Sequence, residues 1–149
     1  MHNLQISNVT NIFFPAISKT KTSLPLYLDK VQAGFPSPAS DYEEKRLNPD
    51  DYLITNKAST FFARVKGNSM VDAGIFEGDV IVVDRSVNPQ VGDMVLAVMD
   101  GDFTVKYLGK NENGALLIPA NKEYKTIEVG DNPTFEVWGV VTGSMRKFK

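Results

Sequence analysis

Residues 91–108 read VGDMVLAVMDGDFTVKYL, and this stretch indicates the class of fold. Two apolar runs, Met94–Met99 and Phe103–Leu108, are separated by an Asp-Gly-Asp turn. Asp-Gly supplies the backbone conformations that a tight hairpin connection needs. Successive side chains of a strand point to opposite faces, which places Thr104 and Lys106 on the same face. The stretch therefore predicts an antiparallel hairpin that carries a lysine in its second strand.

The same alternation and turn chemistry recur from residue 60 onward. Seven runs predict strands: Thr60–Lys66, Val80–Asp84, Met94–Met99, Phe103–Leu108, Ala115–Pro119, Thr126–Val129 and Phe135–Thr142. Turns rich in Gly, Asp and Asn separate these runs. Short strands at this spacing favour a curled antiparallel sheet over a parallel sheet with crossover helices. The predicted fold class is therefore mainly β, with short helices and an extended N-terminal arm.

Residues 1–40 differ from the rest of the chain, because they are rich in Asn, Ser, Thr, Lys and Pro and show no sustained period. We interpret them as a flexible N-terminal arm, and residues 41–149 as the β domain. Two short helices are predicted near the junction. Ser40 begins a Ser-Asp-Tyr-Glu capping box, and Asn48 with Pro49 forms an N-cap and first-turn pair.

The composition is that of a globular protein without a strong net charge. Hydrophobic residues make up 42% of the chain, and the formal net charge is −2. That charge argues against direct, sequence-specific DNA binding through a phosphate-neutralising surface. The absence of cysteine excludes a thiolate nucleophile and cysteine zinc sites. No run approaches the roughly eighteen apolar residues of a membrane span, and no signal peptide pattern is present, so a cytoplasmic protein without membrane contact is predicted.

Ser69 and Lys106 are the candidate catalytic residues. Ser69 lies in a Gly-Asn-Ser-Met turn after a predicted strand, where the backbone N–H groups of Asn68 and Ser69 can converge on an oxyanion. The sole histidine, His2, lies in a polar terminal segment, which excludes a Ser-His-Asp triad. Lysine is then the available base. Burial would lower the pKa of Lys106 until a neutral amine forms, and Thr104 can orient that amine.

Each of these residues alone also has a simpler interpretation. A serine in a polar turn usually bonds its own backbone, and a strand lysine usually extends into solvent. The Gly residues form no nucleotide-binding loop, and no cofactor or metal site is predicted. The acidic residues at turns and strand ends are interpreted as turn formers and surface charge: Asp79, Asp84, Asp93, Asp100 and Asp102.

Several motifs follow one another in a recognisable order. They are Gly67-Asn68-Ser69-Met70, Gly74-Ile75, Glu77-Gly78-Asp79, Val91-Gly92-Asp93 and Gly101-Asp102-Phe103-Thr104-Val105-Lys106. Ahead of them, residues 31–42 read VQAGFPSPASDY. In order and spacing these motifs resemble the core and the cleavage region of the LexA/UmuD-type family of serine–lysine self-cleaving peptidases. The resemblance extends from about Leu26 to Val141.

The resemblance implies a role for each matching residue. Ser69 corresponds to the nucleophile, Lys106 to the general base, and Ala33 with Gly34 to the bond that each molecule cuts in itself or in its dimer partner. In this family a RecA filament on single-stranded DNA promotes the cut. The shortened homodimer then joins an error-prone, UmuC-like DNA polymerase. The implied function is that of an accessory protein in translesion synthesis during the SOS response.

Three other functions remain open at this point. A self-cleaving transcriptional regulator of the LexA or phage-repressor type would use the same peptidase, but few residues precede Gly34 to form a DNA-binding domain. A catalytically idle dimerisation module would keep Lys106 charged. A serine–lysine signal peptidase would need a membrane anchor.

Overall fold

The structure is a computed structural model that describes residues 9–13, 23–27 and 44–149. Backbone contacts divide these residues into two units. The larger unit contains residues 9–13 and 56–149, and the smaller contains residues 23–27 and 44–55. In chain order the described strands are β1 (Val9–Phe13), β2 (Leu24–Tyr27), β3 (Glu44–Leu47), β4 (Thr60–Val65), β5 (Val80–Asp84), β6 (Met94–Met99), β7 (Asp102–Asn111), β8 (Gly114–Ile118), β9 (Ile127–Gly130) and β10 (Glu136–Met145). One α-helix, α1 (Pro49–Leu53), lies between β3 and β4.

Eight strands of the larger unit form one antiparallel sheet, in the order β1-β4-β5-β10-β6-β7-β8-β9. The sheet curls, so that β1 approaches β7. Both faces of the sheet bury apolar side chains. On β6, Leu96 packs into one core cluster, whereas Val95 and Ala97 pack into a second. The first cluster also contains Met70 and Ile75, which flank the turn of Ser69 and anchor it to the core.

The central strand β10 bends the sheet. Its register shifts between Val137 and Gly139 against β6, and between Val141 and Gly143 against β5. Bulges of this kind bend a strand and increase its local twist. A Cβ atom on Gly139 would lie 2.7 Å from Cγ1 of Val83, so the close approach requires glycine at this position.

The smaller unit contains an antiparallel pair of short strands and the helix. Leu24 of β2 lies opposite Leu47 of β3. The helix α1 begins after Asn48, whose side-chain oxygen accepts a hydrogen bond from the backbone N–H of Asp50 at 2.9 Å. Pro49 occupies the first turn. The predicted N-cap and proline pair is therefore confirmed.

The predicted fold class is confirmed, and each of the seven predicted strands is present as β4 to β10. Two of them are longer than predicted, because β7 continues to Asn111 and β10 to Met145. In β7 the extra residues pair with β8 up to a turn at Asn111 and Gly114. Pairing with a neighbouring strand thus extends these elements beyond their apolar pattern.

The N-terminal part of the chain differs from the sequence-based expectation. The prediction of a helix that starts at Ser40 is wrong from Glu44 onward, because Glu44–Leu47 forms β3 and pairs with β2. A capping box is a local signal, and pairing with a strand distant in sequence outweighs it here. Two short strands, β1 and β2, also lie within the predicted arm. The predicted boundary at residue 40 falls outside the described residues and stays a prediction.

Candidate active site

Ser69 lies in a tight turn directly after β4. The turn begins at Gly67, whose φ of 83° is readily adopted only by glycine. After Ser69 the chain forms a short 3₁₀ helix, Val71–Ala73, which ends at Gly74. The side chain of Ser69 is only 3% exposed. The turn therefore holds the hydroxyl inside the protein rather than in solvent.

Lys106 lies in the middle of β7 and reaches the same place. Lys106 is only 1% exposed. Most lysines in strands instead extend their amino group into solvent. Nζ of Lys106 lies 2.9 Å from Oγ of Ser69 and 2.7 Å from Oγ1 of Thr104. A third contact joins Nζ to the carbonyl oxygen of Val105 at 3.1 Å. The structure thus brings together Ser69, Lys106 and Thr104, three of the predicted site residues.

Burial lowers the pKa of Lys106 from its ordinary value of 10.5 to about 8. The cause is desolvation, which disfavours the charged ammonium. At pH 7 a lysine with that pKa is neutral in roughly one molecule in ten, against about one in three thousand for an ordinary lysine. A substantial fraction of neutral amine is therefore available near physiological pH.

The hydrogen-bond partners of Nζ suit both protonation states. As an ammonium, Lys106 can donate one hydrogen bond each to Ser69, Thr104 and the carbonyl of Val105. As a neutral amine it keeps two N–H groups and gains a lone pair. The lone pair can accept the hydroxyl proton of Ser69, while the N–H groups still bond Thr104 and Val105. The site can thus exchange one proton without reorganisation.

A loop after β8 also contacts the turn of Ser69, which sequence reasoning missed. Nδ2 of Asn121 donates to the carbonyl oxygen of Asn68 at 2.8 Å. The backbone N–H of Ala120 donates to the carbonyl oxygen of Ser69, also at 2.8 Å. The N–H of Asp72 in turn donates to the carbonyl of Ala120 at 2.8 Å. Asn68 and Asn121 are 53 residues apart, and no local pattern signals their contact.

Two of the acidic residues interpreted as surface charge are buried. Asp79 is 2% exposed, and a hydrogen bond from Arg146 lowers the pKa of its carboxyl below the usual value. Asp84 is 4% exposed and accepts hydrogen bonds from the hydroxyls of Ser59 and Ser86. The surface-charge interpretation is therefore wrong for both residues, because hydrogen-bond donors compensate for their burial.

Ala33 and Gly34, the predicted cleavage site, lie outside the described residues. Within residues 9–13, 23–27 and 44–149, no cluster of three His, Asp or Glu side chains could hold a metal ion. The helix found in that part of the chain is too short to cross a membrane. In the described part of the site, the hydroxyls of Ser69 and Thr104 lie within hydrogen-bond distance of the amine of Lys106.

Comparison with known proteins places the chain in a class. Residues 25–142 match the Peptidase S24-like family, so the chain belongs to the S24-like peptidases. It is 44% identical to protein MucA of Salmonella typhimurium over 124 residues, which cover 83% of this chain and 84% of MucA. It is 41% identical to protein SamA of the same species over 133 residues, 89% of this chain and 92% of SamA. The resemblance to the LexA/UmuD-type family is thereby confirmed.

The chain is also similar to a repressor at lower identity. The LexA repressor of Carboxydothermus hydrogenoformans is 38% identical over 128 residues, which cover 85% of this chain. The aligned region spans 61% of the repressor. The chain thus matches most of MucA and SamA but a smaller share of LexA.

Proposed function

We propose that this S24-like peptidase cleaves its own chain between Ala33 and Gly34, with Ser69 as the nucleophile and Lys106 as the general base. The observation that carries the proposal is the buried Nζ of Lys106 at 2.9 Å from Oγ of Ser69. A hydroxyl is a weak nucleophile unless a base removes its proton. A lysine with a pKa of about 8 can act as that base near neutral pH.

The proposed reaction proceeds through an acyl-enzyme. Oγ of Ser69 attacks the carbonyl carbon of Ala33 while its proton passes to Nζ of Lys106, and the carbonyl oxygen becomes an oxyanion. As the intermediate collapses, the bond to the nitrogen of Gly34 breaks, and the ammonium of Lys106 protonates the leaving amine. A water molecule then hydrolyses the ester, with Lys106 again accepting a proton. The N–H groups of Asn68 and Ser69 are the proposed donors to the oxyanion.

The cellular role we propose is that of an SOS-response accessory protein in the cytoplasm. In this role a RecA filament on single-stranded DNA stimulates the cleavage, and the product, residues 34–149, joins an error-prone, UmuC-like DNA polymerase as a homodimer. The support is the family resemblance and the similarity to MucA and SamA along most of their length. Sedimentation of the intact and cleaved forms tests the dimer, and a monomer in both would contradict it.

An intact-mass time course tests the proposed cleavage. The purified protein is incubated with RecA, single-stranded DNA and a nucleoside triphosphate. We expect two products, residues 1–33 and 34–149, with N-terminal sequencing of the larger one starting at Gly34. Ser69→Ala should remain intact, whereas Ser144→Ala, at an exposed serine of β10, should be cleaved at the normal rate. An intact wild-type protein would favour the idle dimerisation module.

A LexA-like transcriptional regulator is the second candidate function. The similarity to the LexA repressor of C. hydrogenoformans is the observation that favours it. Both functions would use the same proposed self-cleavage, so cleavage alone does not separate them. Binding of the intact protein to DNA that depends on base sequence, and is lost on cleavage, would support the regulator. Binding of the cleaved form to an error-prone polymerase would support the accessory role.

A further inference from the structure

One short loop holds both peptide groups that flank Ser69. We propose that Asn121 is a positioning residue, which fixes the Asn68–Ser69 peptide so that the N–H of Ser69 points at the oxyanion of the reaction. The inference rests on the proposed function, because it assigns a role within the same cleavage. Asn121 itself does not contact the reacting atoms in this proposal.

The hydrogen bond from Asn121 determines the direction of the N–H of Ser69. Nδ2 of Asn121 binds the carbonyl oxygen of Asn68 at 2.8 Å. None of the peptide bonds in the described part of the chain is cis. In a planar trans peptide the C=O and N–H groups point in opposite directions. Fixing the carbonyl of Asn68 towards the loop therefore fixes the N–H of Ser69 on the opposite side.

Asn121 is itself held in place by its neighbours. Its Oδ1 accepts a hydrogen bond from the backbone N–H of Glu123 at 2.9 Å, and its carbonyl accepts one from Tyr124 at 3.1 Å. These bonds form a tight turn in which the side-chain oxygen of Asn121 is already committed. The amide nitrogen is then the atom left to face Asn68. The donor is thus oriented before any substrate arrives.

The same loop also fixes the other peptide of Ser69. The N–H of Ala120 binds the carbonyl oxygen of Ser69 at 2.8 Å, and the carbonyl of Ala120 accepts from Asp72 at 2.8 Å. Each of the two peptide groups next to the nucleophile therefore accepts a hydrogen bond from this loop: the carbonyl of Asn68 from Asn121, and the carbonyl of Ser69 from Ala120. Backbone donors stabilise an oxyanion well only if they are oriented before the reaction. Removal of one side-chain donor to the oxyanion of a serine peptidase lowers kcat by about 100-fold to 1,000-fold, which sets the scale of such a contribution.

The pH dependence of spontaneous cleavage separates this role from a general loosening of the site. Asn121→Ala should lower the plateau rate at alkaline pH by about 100-fold, as for a lost oxyanion donor. The midpoint of the profile should stay where it is in the wild type, since Lys106 remains buried. Loosening that admits water to Lys106 would instead move the midpoint upward, and that result would overturn the proposal.

Asn121→Asp tests the donated hydrogen bond itself. The carboxylate keeps an oxygen for the N–H of Glu123 but has no proton for the carbonyl of Asn68. We expect a plateau as low as that of Asn121→Ala. Asn111→Asp is the matched control, because Asn111 also accepts from a backbone N–H two residues on, at 2.9 Å, and lies at the end of β7. The control should cleave at the wild-type rate. Wild-type cleavage by Asn121→Asp would overturn the proposal.

A second measurement does not depend on cleavage. In the uncleavable Ser69→Ala protein, the ¹⁵N relaxation order parameter of the residue 69 amide should be about 0.85, as in rigid backbone, and should fall towards about 0.6 when Asn121→Ala is added. An order parameter unaffected by Asn121→Ala would contradict the positioning role. If the wild type never cleaves, the proposed function fails, and this measurement still decides whether Asn121 orders the turn.

Discussion

Arg146 binds both carboxylate oxygens of Asp79, through Nε at 2.7 Å and Nη2 at 2.8 Å. The two residues are 67 positions apart in the chain. Nη2 of Arg146 also donates to the carbonyl of Gly74 at 2.9 Å, and Asp79 accepts from the N–H of Phe76 at 2.8 Å. Arg146, the residue after β10, thus binds both Gly74 and Asp79 of the segment that follows the turn of Ser69.

Arg146→Ala should destabilise the protein in a pH-dependent way. The pKa of Asp79 is lower in the folded protein than its unfolded value of about 3.9, so its stabilising effect is present above about pH 4 and is lost as the pH falls through the folded-state pKa. The difference in free energy of unfolding between wild type and Arg146→Ala should therefore be largest near neutral pH and shrink in acid. Denaturant unfolding at several pH values measures it. Lys147→Ala, which removes the neighbouring exposed cation, should show no such trend.

Spontaneous self-cleavage should increase with pH, with a midpoint at about 8, and then level off. The neutral amine of Lys106 is the proposed base, and protonation removes it below that pH. Lys106→Arg should not cleave at any pH, because a guanidinium stays protonated throughout this range. Lys110→Arg, at an exposed lysine of the same strand, should follow the wild-type profile. A midpoint near 10.5, the ordinary lysine value, would contradict the assignment.

The buried Lys106 should also make stability rise with pH. Between its folded pKa of about 8 and its ordinary value of 10.5, the unfolded chain binds a proton that the folded chain does not. In a Ser69→Ala background, which prevents cleavage, the folded protein should gain about 3 kcal/mol relative to Lys106→Met across this interval. Subtracting the two unfolding curves cancels the other titrating groups. A flat difference would mean that Lys106 titrates normally.

Thr104→Val should shift the midpoint of the pH profile of spontaneous cleavage to lower pH. It should also lower the rate of cleavage at the alkaline plateau. Oγ1 of Thr104 accepts a hydrogen bond from Nζ of Lys106 at 2.7 Å, and the ammonium form needs this acceptor more than the neutral amine does. Removing the acceptor disfavours the charged form further, so the pKa should fall by up to about one unit. Thr104→Ser keeps the hydroxyl and should retain the wild-type midpoint. An upward shift with Thr104→Val would refute this account.

Seven of the eight strands of the larger unit, β4 to β10, could be predicted from sequence because their signals are local, whereas β1 was missed. Alternating apolar residues and Gly-Asp turns mark β4 to β10 directly, and the same alternation placed Thr104 and Lys106 on one face. The residue types of the site were also predictable, since a chain whose sole histidine is His2 leaves lysine as the base for a serine nucleophile.

The remaining features depend on contacts between distant parts of the chain. The burial of Asp79 needs Arg146, and the fixed carbonyl of Asn68 needs Asn121, which no local pattern reveals. Similarly, β3 forms because β2 pairs with it, against the helix signal at Ser40. Sequence patterns report on propensity and burial, whereas these features depend on which segments meet in the fold.

The position of β10 has a consequence for when the site can form during protein synthesis. Within the larger sheet, β10 is the hydrogen-bonded link between β5, on the side of Ser69, and β6, on the side of Lys106. Among the eight strands of this sheet, β10 comes last in the chain and is therefore synthesised after the other seven. A nascent chain that ends before Glu136 therefore has the serine and the lysine on two halves of an unfinished sheet. The proposed peptidase would be assembled only after translation of Glu136–Met145, so an incomplete polypeptide would not cut itself.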